Sequence, residues 1–470
     1  MNTTVSHAIA DFIVRTEYIN IPAPIIQRAK ECILDCIGVT LYGLRFEASR
    51  MAQGMVEGIG SFGGATVLGT EIRVPPFLAA FVNGVTAHVA DFDDTLYTMK
   101  GHSSCVLMPA ALALCESSER SGMDLLTAFV VGTEVNGKIG EAMGWEHYHA
   151  GWHATGTIGS IGAAAAATKA LNLGRKRVGN AIGIAASCAS GLRENFGTMT
   201  KSFHAGHAAM AGVLAAQLAE KGFESSPVVL EGNTGFAKLF NAGNQFSSMA
   251  KNFGRVNALE KIMLKPYPSC AGTHTAVDAI LKIRNKIYAD LEDIVEIETH
   301  GLPVLSSVLI HHNPQIPLEA KFSMEFCVSS ALVFGQLGIR QFEEGAIFNP
   351  QVRSLMKKVK LLPDSDMEEA SRTREVLSPV RLMVKLRDGR EISETIWEAK
   401  GSRSNPMSRG EIVNKFRECA ENAISPSKIE EVLKVLDELE SLETISELTS
   451  LLVSPLKATD QKHLAKGETL

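Results

Sequence analysis

The chain has 470 residues, 45% of them hydrophobic, and a formal net charge of −6. That is enough apolar side chain for a large core, divided by length into two or three domains. The charges are interspersed, without the basic stripe a nucleic-acid partner needs, and no apolar run reaches the length of a membrane span, so neither nucleic acid nor membrane is an expected partner.

The first eighteen residues, MNTTVSHAIADFIVRTEY, lack the basic start and long apolar stretch of a secretory signal. Asp11 and Glu17 come early for a transit peptide, which is poor in acids. Eight cysteines, at 32, 36, 105, 115, 188, 270, 327 and 419, form no C-x-x-C pair. Cys32 and Cys36 fall on an apolar helical pattern, so the set reads as reduced thiols of a cytoplasmic protein.

Residues 5 to 265 follow a helical pattern. From 22 to 42, two prolines mark the entry, Ile26, Ala29, Ile33, Ile37 and Leu41 recur at helical spacing, and Gly43 marks the stop. The stretch 87–114 then sets Asp91, Asp93 and Asp94 ahead of His102, with an apolar helix from about Val106. Acids crowded beside an imidazole move pKa values toward the working pH, which suits proton transfer. The structural alternative is that one of the three caps a helix. Next, EHYHAGWHATGT (146–157) carries His147, His149 and His153. His149 and His153 are four apart and would share a helix face, but no complete ligand set follows, so no metal is expected. Stretches 156–174, 180–191 and 205–223 are rich in small residues and read as closely packed helices, not as a phosphate loop at Gly156, Gly159 and Gly162. Lys201 precedes the third of these. It either snorkels or binds an anion, with His204 and His207 nearby.

Near Pro266 the character changes. In KPYPSCAGTHTAVDAI (265–280), Lys265, Ser269, Cys270, Gly272, Thr273 and His274 lead into a helix, and a lysine with polar groups at a helix start suits a carboxylate or phosphate. The segment DIVEIETHG (293–301) alternates like a strand, 321–337 is an apolar helix, and 380–396 is a strand–turn–strand with Asp388-Gly389 at the turn. Residues 266–402 therefore form a smaller α+β unit. His311-His312 either reaches the same cleft or is ordinary surface. After Asn405-Pro406 the chain returns to amphipathic helix, and 456–470 reads as a disordered tail. Acids, imidazoles and two lysines without a metal motif suit proton chemistry beside a carboxylate.

The same segments resemble the MmgE/PrpD family, which includes 2-methylcitrate dehydratases, cis-aconitate decarboxylases and iminodisuccinate epimerases. The matching stretches are ADFDDT (90–95), GHSSCVLMPAALAL (101–114), GWHATGTIGSIGAAAAA (151–167), TKSFHAGHAAMAG (200–212), KPYPSCAGTHTAVDAI (265–280), AKFSMEFCVSSAL (320–332) and NPMSRGEIVNKF (405–416), in order along nearly the whole chain. The resemblance implies a mainly α fold: a large helical domain made from 1–265 and 403–455, with an α+β lid, 266–402, inserted between them. It implies a homodimer and no metal or organic cofactor. Carried over residue by residue, the family's active-site aspartate and threonine fall on Asp91 and Thr95, its histidines on His102 and His153, and its lysines on Lys201 and Lys265. Asp91-Phe92-Asp93-Asp94 stands where the dehydratase branch often reads DFND, which points toward the decarboxylase-like and epimerase-like members. Cys270 stands where some decarboxylases carry a histidine, and a thiol cannot do an imidazole's protonation work at neutral pH.

The expected protein is a cofactor-independent lyase acting on a small di- or tricarboxylate. Lys201 and Lys265 neutralise carboxylates, with Thr95, Ser269 and Cys270 lining the binding site. His102 transfers a proton at carbon, Asp91 sets its tautomer and raises its pKa, and His153 assists or binds. The alternative is an epimerase, which needs two proton-transfer groups on opposite faces of one carbon. A non-catalytic carboxylate-binding protein would keep the lysines without needing the acid–imidazole pairing.

Overall fold

The structure, a computed structural model, describes residues 4–59, 64–241, 256–287, 290–374 and 378–453, with Phe246, Met249, Phe253 and Val376. The tail expected at 456–470 lies outside the described residues. The fold is mainly helical, with a small sheet.

The helices that shape the site come early. Helix α1 (Ala23–Gly43) follows Pro22 and buries Ile26, Ala29, Ile33 and Ile37, as its spacing predicts. Helix α2 (Pro76–His88) opens on two prolines, where the missing N–H would be unpaired anyway. Helices α3 (Ser104–Ser117), α4 (Gly122–Met143), α5 (Ala154–Ala170) and α6 (Thr200–Glu220) complete the central layer. Helix α6 packs against both α2 and α5. The small residues make this possible. A Cβ on Gly84 would stand 2.8 Å from Gly206 Cα, and one on Gly212 would stand 2.3 Å from Ala163 Cβ.

Two short strands, β1 (Thr95–Leu96) and β2 (Ile262–Met263), pair antiparallel with Thr95 opposite Met263. This ladder was not legible at two residues a strand. It carries the chain from the acidic segment directly beside the one leading to Lys265.

Beyond it, α7 (His274–Arg284) and α8 (Met324–Phe334) pack together beside a four-stranded sheet. Its strands are β3 (Ile294–Gly301), β4 (Val359–Pro363), β5 (Val380–Leu386) and β6 (Glu391–Ile396), in the order β4-β3-β5-β6. Only β3–β4 is parallel. Gly389, at φ 88°, lies in the β5–β6 turn, as the Asp-Gly pair predicts. Val380, Leu382, Val384 and Leu386 alternate inward along β5.

The apolar core has two large clusters and a small third one of Val39, Tyr42, Ala90, Phe92, Ile339 and Cys419. The first runs from Val5 to Leu264 and takes up Met407 to Leu452, and the second runs from Ala276 to Ile396. Helix α9 (Arg409–Ala420) returns to pack on α1. There Lys415 pairs with Asp35 at 2.7 Å, both buried. No described helix is long and apolar enough to cross a membrane.

Candidate active site

The chain leaves α2 at His88 and crosses to α3 through residues 89–103. The crossing bends at Asp91, whose φ of 50° lies in the left-handed region, uncommon outside glycine and least so for Asn and Asp. Buried lysine side chains hold the bend. Lys321 Nζ donates to Ala90 O (2.7 Å), Lys265 Nζ to Asp91 O (2.9 Å) and Lys415 Nζ to Phe92 O (2.8 Å).

The bent backbone sends the three acids to different partners. Asp94 accepts from Ser104 N at 3.2 Å and bonds to the Ser104 hydroxyl, so it closes the start of α3. Asp93 meets two imidazoles. Its oxygens lie 2.9 and 3.0 Å from His88 Nδ1, and Oδ2 lies 3.0 Å from His102 Nδ1. The His102 approach is off the N–H direction, so it is an electrostatic contact rather than an aligned hydrogen bond. Asp91 Oδ1 accepts from Lys201 Nζ (2.7 Å) and Lys265 Nζ (3.0 Å) and stands 3.8 Å from His102 Nε2. His153, the residue before α5, places Nδ1 3.0 Å from His204 Nδ1 on α6.

These groups edge a cavity of about 100 Å³. Its polar lining includes Asp91, Thr95, Lys100, His102, His153 and Lys201, and its far side is closed by Cys270, Val304, Leu305 and Phe322. Leu305 belongs to the second core cluster, and Cys270 and Val304 pack against it. The structure thus brings six of the eight expected site residues to one cavity. The other two stand behind its wall. Lys265 is fully buried, and its three N–H groups go to Asp91 O, Asp91 Oδ1 and Ser269 O. Ser269 is also fully buried, with Oγ 2.9 Å from Thr273 Oγ1. Lys201 differs from Lys265: it gives one hydrogen bond to Asp91 and keeps two N–H groups at the cavity.

Residues 7–249 match the MmgE/PrpD N-terminal domain, and residues 267–440 match the MmgE/PrpD C-terminal domain. The chain belongs to the MmgE/PrpD family. It is 31% identical to a cis-aconitate decarboxylase of Homo sapiens over 446 residues, covering 92% of this chain and 91% of the relative. It is 30% identical to a cis-aconitate decarboxylase of Aspergillus terreus over 467 residues, covering 93% and 94%. A 2-methylcitrate dehydratase of Escherichia coli (strain K12) is 25% identical over 366 residues, covering 72% and 73%.

The electrostatics of this MmgE/PrpD site follow from burial and pairing. Burial opposes ionisation of Asp91, but Lys201 and Lys265 outweigh it and hold the carboxyl well below its usual range. Burial opposes ionisation of Asp93 as well, and His88 and His102 outweigh it. Asp94 makes no ion pair among the described residues, and burial pushes it up to about 7. Burial lowers His102 in spite of Asp93, lowers His88 to about 4 and takes His153 well below its ordinary value. The expected partnership of Asp91 with His102 is therefore corrected in two respects. Asp93 is the carboxylate at Nδ1, and loss of solvent, not a carboxylate, sets the direction of the shift.

Other expected histidines go elsewhere. His147 uses both ring nitrogens, at 2.6 Å from Phe240 O and 2.7 Å from Thr157 Oγ1. His149 ends its own short helix, so it shares no helix face with His153. His312 pairs with Glu325 at 2.8 Å, and His274 Nε2 lies 3.2 Å from Ser269 O. His88, Asp91, Asp93 and His102 bring one ligand atom each within 4.8 Å of one another. Two ammonium groups already sit on Asp91, and their charge opposes a cation there.

Sequence reasoning missed His88, Lys321 and Lys415. The nearest signal for His88 was its place five residues before Asp93 at the end of an apolar helix. For the two lysines there was none, because the carbonyls they hold on the acidic segment are more than two hundred residues away.

Proposed function

We propose that this chain is a cofactor-independent lyase that removes carbon dioxide, or water, from a small tricarboxylate, with cis-aconitate as the first candidate. The observation that carries the reading is the shared oxygen of Asp91: Lys201 is bound to it at 2.7 Å and His102 Nε2 stands 3.8 Å away, both at one cavity. An anion holder and a proton-transfer group thus face the same small volume. The family relatives named as decarboxylases and dehydratases support the same reaction class.

In this reading the two uncommitted N–H groups of Lys201 take a substrate carboxylate, with Thr95 Oγ1, which has no partner among the described residues, as a further contact. Lys265 works from behind, fixing Asp91 rather than touching substrate. In decarboxylation the bond between carbon and a carboxylate breaks, carbon dioxide leaves, and the electron pair left on carbon takes a proton from an imidazole N–H. In dehydration a neutral imidazole takes the proton beside the carboxylate, and the hydroxyl leaves as water after gaining a proton. Either path passes through negative charge that Lys201 stabilises among buried side chains. The sheet-bearing unit acts as the lid, because Cys270, Leu305 and Phe322 close the cavity from that side. Homodimeric assembly belongs to the same proposal, and sedimentation velocity tests it.

The test of the reaction class is incubation of the purified protein with a panel of di- and tricarboxylates in deuterated water, followed by mass spectrometry. Loss of carbon dioxide or water supports the lyase. Deuterium uptake with the carbon skeleton and hydroxyls intact would instead indicate an epimerase.

A further inference from the structure

His153 and His204 are joined Nδ1 to Nδ1 at 3.0 Å, with ring centroids 5.2 Å apart and planes at 61°. Both side chains are buried. Two imidazoles in this arrangement share a single proton between the facing nitrogens. One ring donates its Nδ1–H, and the other must offer a bare Nδ1. Both rings cannot be charged at once without placing two N–H groups head to head. Burial lowers the pKa of both, and Lys201 lowers them further, so the pair is neutral.

The surroundings are shaped around this pair. His153 N–H donates to Gly191 O at 3.0 Å. Gly191 has φ 135°, and a Cβ there would stand 3.3 Å from His204 Cγ and 3.4 Å from His153 Cβ. A Cβ on Gly156, one turn into α5, would stand 3.3 Å from His204 Cβ and 2.1 Å from Ser190 O. Two glycines thus leave room for the second imidazole. On its other faces His153 is flanked by His88, with ring centroids 5.8 Å apart, and by Phe196, at 4.9 Å.

His153 lines the cavity and His204 does not. We propose that His204 is a positioning residue that sets the tautomer of His153 and completes a two-imidazole proton relay into the cavity. This rests on the lyase reading, which it deepens by supplying a source for the proton that carbon requires. With His204 donating, His153 carries its proton on Nε2. When His102 has given its proton to carbon, His153 Nε2 recharges it across the cavity, the two ring centroids being 6.4 Å apart; His153 Nδ1 then takes the shared proton from His204, and His204 Nε2 takes one from solvent water. One proton enters, one leaves, and both rings end neutral with their tautomers exchanged. Run in reverse, the relay carries away the proton that His102 takes from carbon, so the same pair serves dehydration.

The experiment compares wild type with His204→Phe, which keeps a ring and removes the partner, and His204→Asn, which keeps a polar group near the Nδ1 position. First, ¹⁵N-histidine spectra of the full chain are recorded, with His153→Gln for assignment. The expected wild-type spectrum shows two neutral rings, one with Nδ1 protonated and one with Nδ1 bare, and the hydrogen-bonded Nδ1 signal of His153 is lost in His204→Phe. A cationic His153, or a His153 signal unchanged in His204→Phe, overturns the proposal. Second, kcat and the directly measured Kd for cis-aconitate are compared. His204→Phe should lower kcat at least about tenfold while Kd changes less than about threefold, and His204→Asn should recover part of kcat. Normal kcat in both variants, or a Kd loss as large as the kcat loss, overturns the relay. If wild type turns over no tricarboxylate, the lyase reading fails, and the spectra alone decide whether His204 sets the tautomer of His153.

Discussion

Lys265 Nζ lies 2.9 Å from the carbonyl oxygen of Asp91 and 3.0 Å from its Oδ1, so one ammonium fixes both the backbone and the side chain of the same aspartate. A third bond, to Ser269 O at 3.1 Å, ties that aspartate to the segment that leads into α7. Lys201 shares the Oδ1 but not the confinement. Two lysines of the same type thus hold different positions: one is internal scaffolding and the other faces the cavity.

Their variants should separate accordingly. Lys265→Met leaves a buried carboxylate short of its cation and should destabilise the protein by about 3–5 kcal/mol, seen as a lowered urea midpoint. Lys201→Met should raise the Kd for a tricarboxylate at least about tenfold, since a charged hydrogen bond is worth roughly 1.5–3 kcal/mol, with a smaller change in midpoint. The opposite pattern would put Lys265 on substrate.

Asp94 makes a pH prediction. Its carboxyl, held at about 7 by burial, is protonated in the fold at pH values where the unfolded chain, at about 3.9, is already ionised. A raised folded pKa contributes stability that is fully present below about pH 4 and is lost as pH rises through about 7. Asp94→Asn mimics the neutral acid and does not titrate. Its Tm should exceed that of wild type at pH 8, and the gap should narrow steadily toward pH 4. A gap that stays constant with pH would mean that Asp94 is ionised throughout.

Chelation gives a third test. The His88, Asp91, Asp93 and His102 group has ligand-like spacing, but two ammonium groups occupy the aspartate. Turnover should therefore survive exhaustive treatment with EDTA. Loss of activity that zinc, iron or magnesium restores would show that a cation displaces the lysines.

The sequence showed the helical class, the strand–turn–strand at 380–396 and the gathering of Asp91, His102, His153 and Lys201, because these rest on local spacing and on the family's motifs. It did not show which acid does what. Asp91, Asp93 and Asp94 are near-neighbours of one chemical type, and only the left-handed turn at Asp91 decides that the first faces lysines, the second imidazoles and the third a helix start. Lys265 and Ser269 illustrate the same gap. Their spacing beside a helix start matched an anion site, but the three N–H groups of Lys265 found partners within the protein. The pairing of His153 with His204 crosses fifty-one residues and depends on two glycines that, in sequence, looked only like packing positions.

The central claim is that His102 moves a proton at carbon while Lys201 holds the carboxylate. The most direct measurement sets kcat against independently measured Kd in His102→Gln, a side chain of similar reach that does not titrate. The account predicts a loss of about 10²–10⁴-fold in kcat, the range for a positioned acid–base group, with Kd for cis-aconitate close to wild type. Collapsed binding with normal residual chemistry would contradict it and make His102 a binding residue.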